Sequence, residues 1–350
     1  MKKALLLSIV MAFAVAAIAS VSGVVAEIDR FGNVHTDIAE DAVKQAGLEV
    51  GDIVLVTLPE TTVVSPFVRT YGDVDRGDPL VRITGGRLQL AINYGNYAEV
   101  YGLEAGSPVK VEVVEKGTYL DELEIRNLVR TYDRADYESD EVFANFREVT
   151  LGSIAPGKLY RSTHPAMDHA WGPYANRLMR EAGIKTVINL SDSDEELAKA
   201  YDYCDYYKAL GEEGNVINLF MGVDLLSDDF AQKLRDGLLF MIDREPPYLV
   251  HCVEGKDRAG LTIALLAAIM DAPAEEVFKD YAKSYENFYH VEPGTPAYAA
   301  VQKIIIDIFT ELNSGIPVDD SNIKNIAMRY LVDRVGLTLD EIRALQEKLR

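Results

Sequence analysis

At 350 residues, 48% of them hydrophobic, the chain carries enough apolar material for two cores, since domains usually run to about 100 to 200 residues. A formal net charge of -21 excludes the broad basic face that nucleic acids and anionic membranes require, so any phosphate site must be built locally. With only two cysteines, Cys204 and Cys252, no disulfide framework holds the fold together. At the start of the chain, Lys2 and Lys3 precede an apolar run from Ala4 to Ala19 that ends among the small residues Ala17, Ala19 and Ser20. This pattern predicts a signal peptide over residues 1–22, or an uncleaved anchor if the run continues through Val25. An extracytoplasmic protein follows, whether secreted, periplasmic or anchored.

Residues 23–117 read as short strands and turns, in segments such as DIVLVTL, PLVRITGG, RLQLAINYG and PVKVEVVEKG. Alternating apolar residues bounded by Gly, Asn, Asp and Pro predict an all-β barrel or sandwich. Residues 118–144 are charged and predict a short helix and linker. From 145 to 350 the texture changes to strands alternating with longer helices: ANRLMREAGI leads to KTVINLS, and FAQKLRDGLLFMI leads to YLVHC. That order predicts an α/β domain with a mostly parallel sheet, whose functional residues lie beyond the carboxyl ends of the strands.

The strand ending at Val250 runs into His251, Cys252, Val253, Glu254, Gly255, Lys256, Asp257, Arg258, Ala259 and Gly260, and then into the apolar helix LTIALLAAIM. A short Gly-containing loop between a strand and a helix N-terminus turns its backbone amides toward one point, making an anion nest. A cysteine at its mouth is favoured as the thiolate nucleophile. Arg258, six residues on, can grip two phosphoryl oxygens with its planar fork. The amides of Val253, Glu254, Gly255, Lys256, Ala259 and Gly260 are expected around the same phosphate, with His251 fixing the loop through a hydrogen bond. The plainer alternative, a buried structural cysteine beside a surface arginine, does not account for this spacing.

HCVEGKDRAG resembles the signature loop of the cysteine-dependent tyrosine phosphatases, most closely the bacterial type whose loop carries GKDR. NFREV, APGKLYRSTHP, EAGIKTVINLSDSDEE and DYAKSYENF extend the likeness from residue 145 to the C-terminus. The resemblance implies an α/β phosphatase fold without a metal or other cofactor. It also implies in-line attack by Cys252 on a phosphorylated protein or small phosphomonoester, giving a phosphocysteine that water hydrolyses. Phosphotyrosine is the preferred substrate class; phosphoinositides and small metabolites are the alternatives, as is a pseudoenzyme that only binds phosphate. Two carboxylates stand as proton donor to the leaving group, Asp257 inside the loop and Asp224 in MGVDLLSDDF, with Asp257 preferred. Lys256 is associated in that family with phosphoinositide as well as phosphoprotein hydrolysis, whereas Glu254 is expected to repel polyphosphorylated groups. Arg161 and Ser162 match a recurrent Arg-Ser pair and are expected to brace the sheet edge beside the loop. Ala259 stands where many relatives carry a hydroxyl.

The segments IDRFGNVHTDI, FVRTYGDVDRGDPL and GGRLQLAINYGNYAEVYGLEAGSPVKV resemble the C-terminal barrel of the S-adenosylmethionine hydroxide adenosyltransferases. Phe31, Asn33 and Arg87 match ligand-lining motifs there, although Asp37 replaces the usual Asn. In that family a separate N-terminal domain completes the nucleoside pocket, and here the predicted signal segment abuts the barrel. A scaffold or self-association module is therefore the expectation. No obligatory disulfide between Cys204 and Cys252 is expected.

Overall fold

The computed structural model describes residues 20–350, so the predicted signal or anchor lies outside the described residues except for its last three positions. Those three belong to a strand: Ser20, Val21 and Ser22 pair with Glu112, Val111 and Lys110. The boundary expected at residue 22 thus falls inside regular structure. Among the described residues, no helix is long and apolar enough to cross a membrane.

The chain divides into two units at Arg126. The first contains β1 (Ser20–Ile28), β2 (Val34–Ala39), α1 (Glu40–Gln45), β3 (Ile53–Thr57), β4 (Thr62–Pro66), β5 (Pro79–Thr84), β6 (Arg87–Ile92), α2 (Tyr97–Val100), β7 (Pro108–Glu115) and α3 (Leu120–Arg126). Its strands form an antiparallel sheet in the order β4-β3-β7-β1-β2-β6-β5. A bridge from Phe67 to Val81 ties its ends together, giving a near-barrel. Strand periodicity puts alternate residues on one face, and Val34, Ile38, Val54, Val56, Leu88, Leu90, Val109 and Val111 meet in the core.

The stretch read as a linker over 118–144 is shared between the units. Tyr119 and Leu123 pack on Val68, Val74 and Leu80 of the first, while Tyr137 and Phe143 pack with Trp171 in the second. In that charged sequence Tyr119, Leu123, Tyr137 and Phe143 each find a core, whereas Leu120, Val129 and Tyr132 stay exposed.

The second unit contains α4 (Asp140–Phe143), β8 (Arg147–Glu148), β9 (Leu159–Ser162), α5 (Gly172–Glu181), β10 (Thr186–Asn189), α6 (Asp194–Ala200), α7 (Asp205–Glu212), β11 (Val216–Asn218), α8 (Asp228–Asp243), β12 (Tyr248–His251), α9 (Asp257–Ile269), α10 (Ala274–Tyr289), α11 (Pro296–Leu312), α12 (Ile323–Asp333) and α13 (Leu339–Leu349). The sheet order is β11-β10-β12-β9-β8, parallel except for β8. β12 is central and wholly buried, as is β10, because helices cover both faces of such a sheet. In register, His251 lies between Asn189 and Ser162, which brings the carboxyl ends of three strands to one edge. Helix α9 starts directly beyond that edge. It is buried from Ala259 to Ile269, so the loop at its start is anchored in the core.

Candidate active site

The loop leaves β12 at His251 and enters α9 at Asp257, and its shape depends on Gly255. That residue has φ +66°, and a Cβ there would lie 2.0 Å from the carbonyl oxygen of Ser162. Only glycine lets loop and strand approach so closely. Among the described residues, no protein acceptor engages the backbone amides of Val253, Glu254, Gly255 or Lys256. Four donors at a helix N-terminus are thereby left for an anion.

Behind the loop lies a buried polar scaffold. Arg161 is fully buried, and its Nη2 donates to the carbonyls of Gly255 at 2.7 Å and Lys256 at 3.2 Å. Its Nη1 pairs with Asp280, which also accepts from Arg147 at 2.8 Å. Burial alone would raise the Asp280 pKa, but Arg147 and Arg161 hold it down to about 2. Asn145 donates its amide to the carbonyls of Glu254 and Gly255 at 3.2 and 3.3 Å. Arg161 therefore braces the loop, and the hydroxyl of Ser162 donates to the Thr163 carbonyl.

On the other side, the hydroxyl of Tyr207 donates to Nε2 of His251 at 2.7 Å, and His251 Nδ1 donates to the Cys252 carbonyl at 3.3 Å. Both ring nitrogens are used by the neutral tautomer. Burial, reinforced by neighbouring His164, pushes the His251 pKa well below its ordinary value. His164 accepts from the Ala166 amide at Nδ1 and donates from Nε2 to Asp192. Against the cost of burial, that bond holds the Asp192 carboxyl down at about 2.

The loop floors a cavity of about 330 Å³ lined by Tyr132, His169, Trp171, Val223, Cys252, Val253, Glu254, Lys256, Asp257 and Arg258. Cys252 is 3% exposed, at the bottom. Nη1 of Arg258 donates to the Met221 carbonyl at 2.9 Å and more weakly to that of Leu190. No protein acceptor among the described residues takes its Nε or Nη2, the edge suited to gripping two oxygens. Asp257 lines the cavity, its Oδ1 accepting from Tyr281 at 3.2 Å and Tyr285 at 3.3 Å.

Asp224 stands elsewhere. It is exposed, its side chain accepts from the Leu226 amide at 3.4 Å, and its carbonyl caps the turn into α8; only its neighbour Val223 reaches the cavity. Ala259 and Gly260 also fall outside the lining, in the first turns of α9, where a Cβ at 260 would press on Tyr281. Glu254 does not project an uncompensated charge: Arg130 pairs with it at 3.0 Å and Lys256 lies 3.6 Å away. Lys256 lies equally close to Asp257 and over the Tyr285 ring, and these neighbours outweigh burial to raise its pKa.

The sequence reading missed the aromatic wall of Tyr132, His169 and Trp171, the Arg147–Asp280 pair and Arg130. Cys204 and Cys252 are both free thiols, and burial pushes the Cys204 pKa up to about 12. Among the described residues, no three His, Cys, Asp or Glu side chains converge as a metal site. In the first unit, Phe31 and Asn33 line a cavity of about 860 Å³ with Asp29, Tyr71 and Tyr94. Arg87 lies apart, beside His35 and Thr84.

Residues 141–350 match the model of a tyrosine phosphatase family, and residues 23–110 match that of the SAM hydroxide adenosyltransferase C-terminal domain. An uncharacterised conserved protein of Thermotoga maritima is 31% identical over 27% of this chain and 36% of its own, with a TM-score of 0.26. A conserved hypothetical protein of Thermus thermophilus is 32% identical over 26% of this chain and 34% of its own, with a TM-score of 0.20. The chain thus spans about a third of the length of each. The core catalytic domain of the PP-IP phosphatase SIW14 from S. cerevisiae is 17% identical over 50% of this chain and 96% of its own, with a TM-score of 0.30.

Proposed function

The chain belongs to the tyrosine phosphatase family, and we propose that its second unit hydrolyses aryl phosphomonoesters, phosphotyrosine above all, through a phosphocysteine. The observation that carries this reading is one cavity holding Cys252, Arg258 and Asp257 over a loop of unengaged amides. The Cys252 thiolate attacks phosphorus in line, forming the S–P bond as the bond to the leaving oxygen breaks. Arg258 and the amides hold the three equatorial oxygens in that step and the next. Asp257 gives the leaving phenol its proton and then takes one from the water that displaces Cys252.

Charge supports a monophosphate. Of the lining cations, Arg258 is left for the transferred phosphoryl group, and Lys256 lies 3.6 Å from both Asp257 and Glu254, the latter also held by Arg130. A second phosphate would meet no uncommitted cation among the lining residues. In this reading the protein works outside the cytoplasm, exported by residues 1–22, and the near-barrel serves as a scaffold or self-association module. N-terminal sequencing of the protein recovered from the periplasm or medium tests export.

The activity test is hydrolysis of p-nitrophenyl phosphate in EDTA. Turnover that Cys252→Ser abolishes supports the reading, and turnover that survives the change refutes it.

A further inference from the structure

The segment of residues 127–137 precedes the span that matches the family, yet it supplies two side chains to the cavity region. Tyr132 lines the cavity while 55% exposed. Its ring stacks on Trp171 with centroids 5.7 Å apart and lies 5.3 Å from the ring of His169, which itself stacks on Trp171 at 3.5 Å. Arg130, with a side chain 4% exposed, backs this wall. Its guanidinium lies 4.0 Å from the Trp171 ring centre and 3.6 Å from that of Phe288, and its Nη1 holds Glu254 of the loop. One arginine thus ties the aromatic wall to the phosphate-binding loop.

We propose that Tyr132 is a specificity-determining residue, the platform on which the aryl leaving group of the substrate seats once its phosphate enters the loop. The inference rests on the phosphatase reading above and adds the part of the substrate that is not phosphate. A half-exposed ring beside a rigid stack offers a flat apolar face at little ordering cost, and aromatic pairs favour offset or tilted contact. An alkyl phosphate has no ring to place there, so the platform discriminates between the two classes.

The experiment compares wild type, Tyr132→Ala and Tyr132→Phe on p-nitrophenyl phosphate and on glycerol 2-phosphate. Tyr132→Ala is expected to raise KM for the aryl ester about tenfold with kcat little changed, the size of one lost ring contact. Tyr132→Phe should behave as wild type, and the alkyl ester should be indifferent to both changes. An equal effect of Tyr132→Ala on the two esters, or none on the aryl ester, overturns the proposal. Phenyl phosphate binding to Cys252→Ser protein, with and without Tyr132→Ala, gives a readout that does not need turnover. If no ester is hydrolysed, the phosphatase reading fails; a tenfold affinity loss still supports the platform, while an unchanged affinity or no binding refutes it.

Discussion

Replacing Gly255 by alanine tests how tightly the loop is set against β9. The residue has φ +66°, and the added Cβ would lie 2.0 Å from the oxygen and 2.4 Å from the carbon of the Ser162 carbonyl. The conformation alone costs an L-residue about 1–2 kcal/mol. The clash is with backbone, so no side-chain rotation relieves it, and the loop must retreat by roughly 1 Å to restore ordinary contact. That retreat stretches the 2.7 Å bond from Arg161 to the Gly255 carbonyl and displaces Cys252 relative to Arg258. A misplacement of about 1 Å costs about a hundredfold in rate, equivalent to about 2.7 kcal/mol. Gly183→Ala is the control, since Gly183 also has positive φ, at +63°, but nothing lies near its Cβ. Thermal unfolding and kcat/KM on p-nitrophenyl phosphate should show both variants losing stability and only Gly255→Ala losing activity. A Gly255→Ala enzyme within about threefold of wild type would refute the reasoning.

Asp257→Asn should slow poor aryl leaving groups more than good ones, steepening the dependence of kcat/KM on phenol pKa, whereas Asp224→Asn leaves that slope unchanged; the reverse pattern transfers the acid role to Asp224. Because His251 is buried neutral with its pKa well below 6.5, the unfolded chain binds the proton first as pH falls. Unfolding free energy should therefore be unaffected by His251 above pH 6.5 and fall below it by up to about 1.4 kcal/mol per pH unit, and urea titrations of His251→Gln should lack that component. Ala259 cannot donate to the departing thiolate, and the nearby Thr262 hydroxyl is already given to the Arg258 carbonyl at 3.0 Å. Phosphocysteine breakdown should then limit turnover, with a burst of phenol in rapid mixing. Ala259→Thr should raise the steady-state rate about tenfold or more by restoring a charge-assisted bond, leaving the burst rate nearly unchanged.

What the sequence disclosed of this site is what lies within one strand–loop–helix turn. Cys252, Gly255 and Arg258 are local to one another, and an anion nest followed by a buried helix has a composition that can be read directly. The parallel sheet was legible for a similar reason: β10 and β12 are short apolar runs, and the helices between them keep their own period. Pairings across long stretches of chain leave no such mark. Arg130 meets Glu254 and Arg161 meets Asp280, partners 124 and 119 residues apart, and Asp280 lies in a helix whose first acids, Glu275 and Glu276, face solvent. The clue was present in the spacing. Asp280 and Ser284 are four apart on α10, as are Tyr281 and Tyr285; the first pair meets Arg147 and Arg161 behind Gly255, and the second holds Asp257. Two polar stripes at helical spacing on a face that also buries Val277 and Phe288 are expensive unless each group finds a partner. Their partners all belong to one loop and the strands beside it. The helix after the signature helix therefore braces the loop from behind, and substituting Asp280, which strands the buried Arg147 and Arg161, should cost folding stability and activity together.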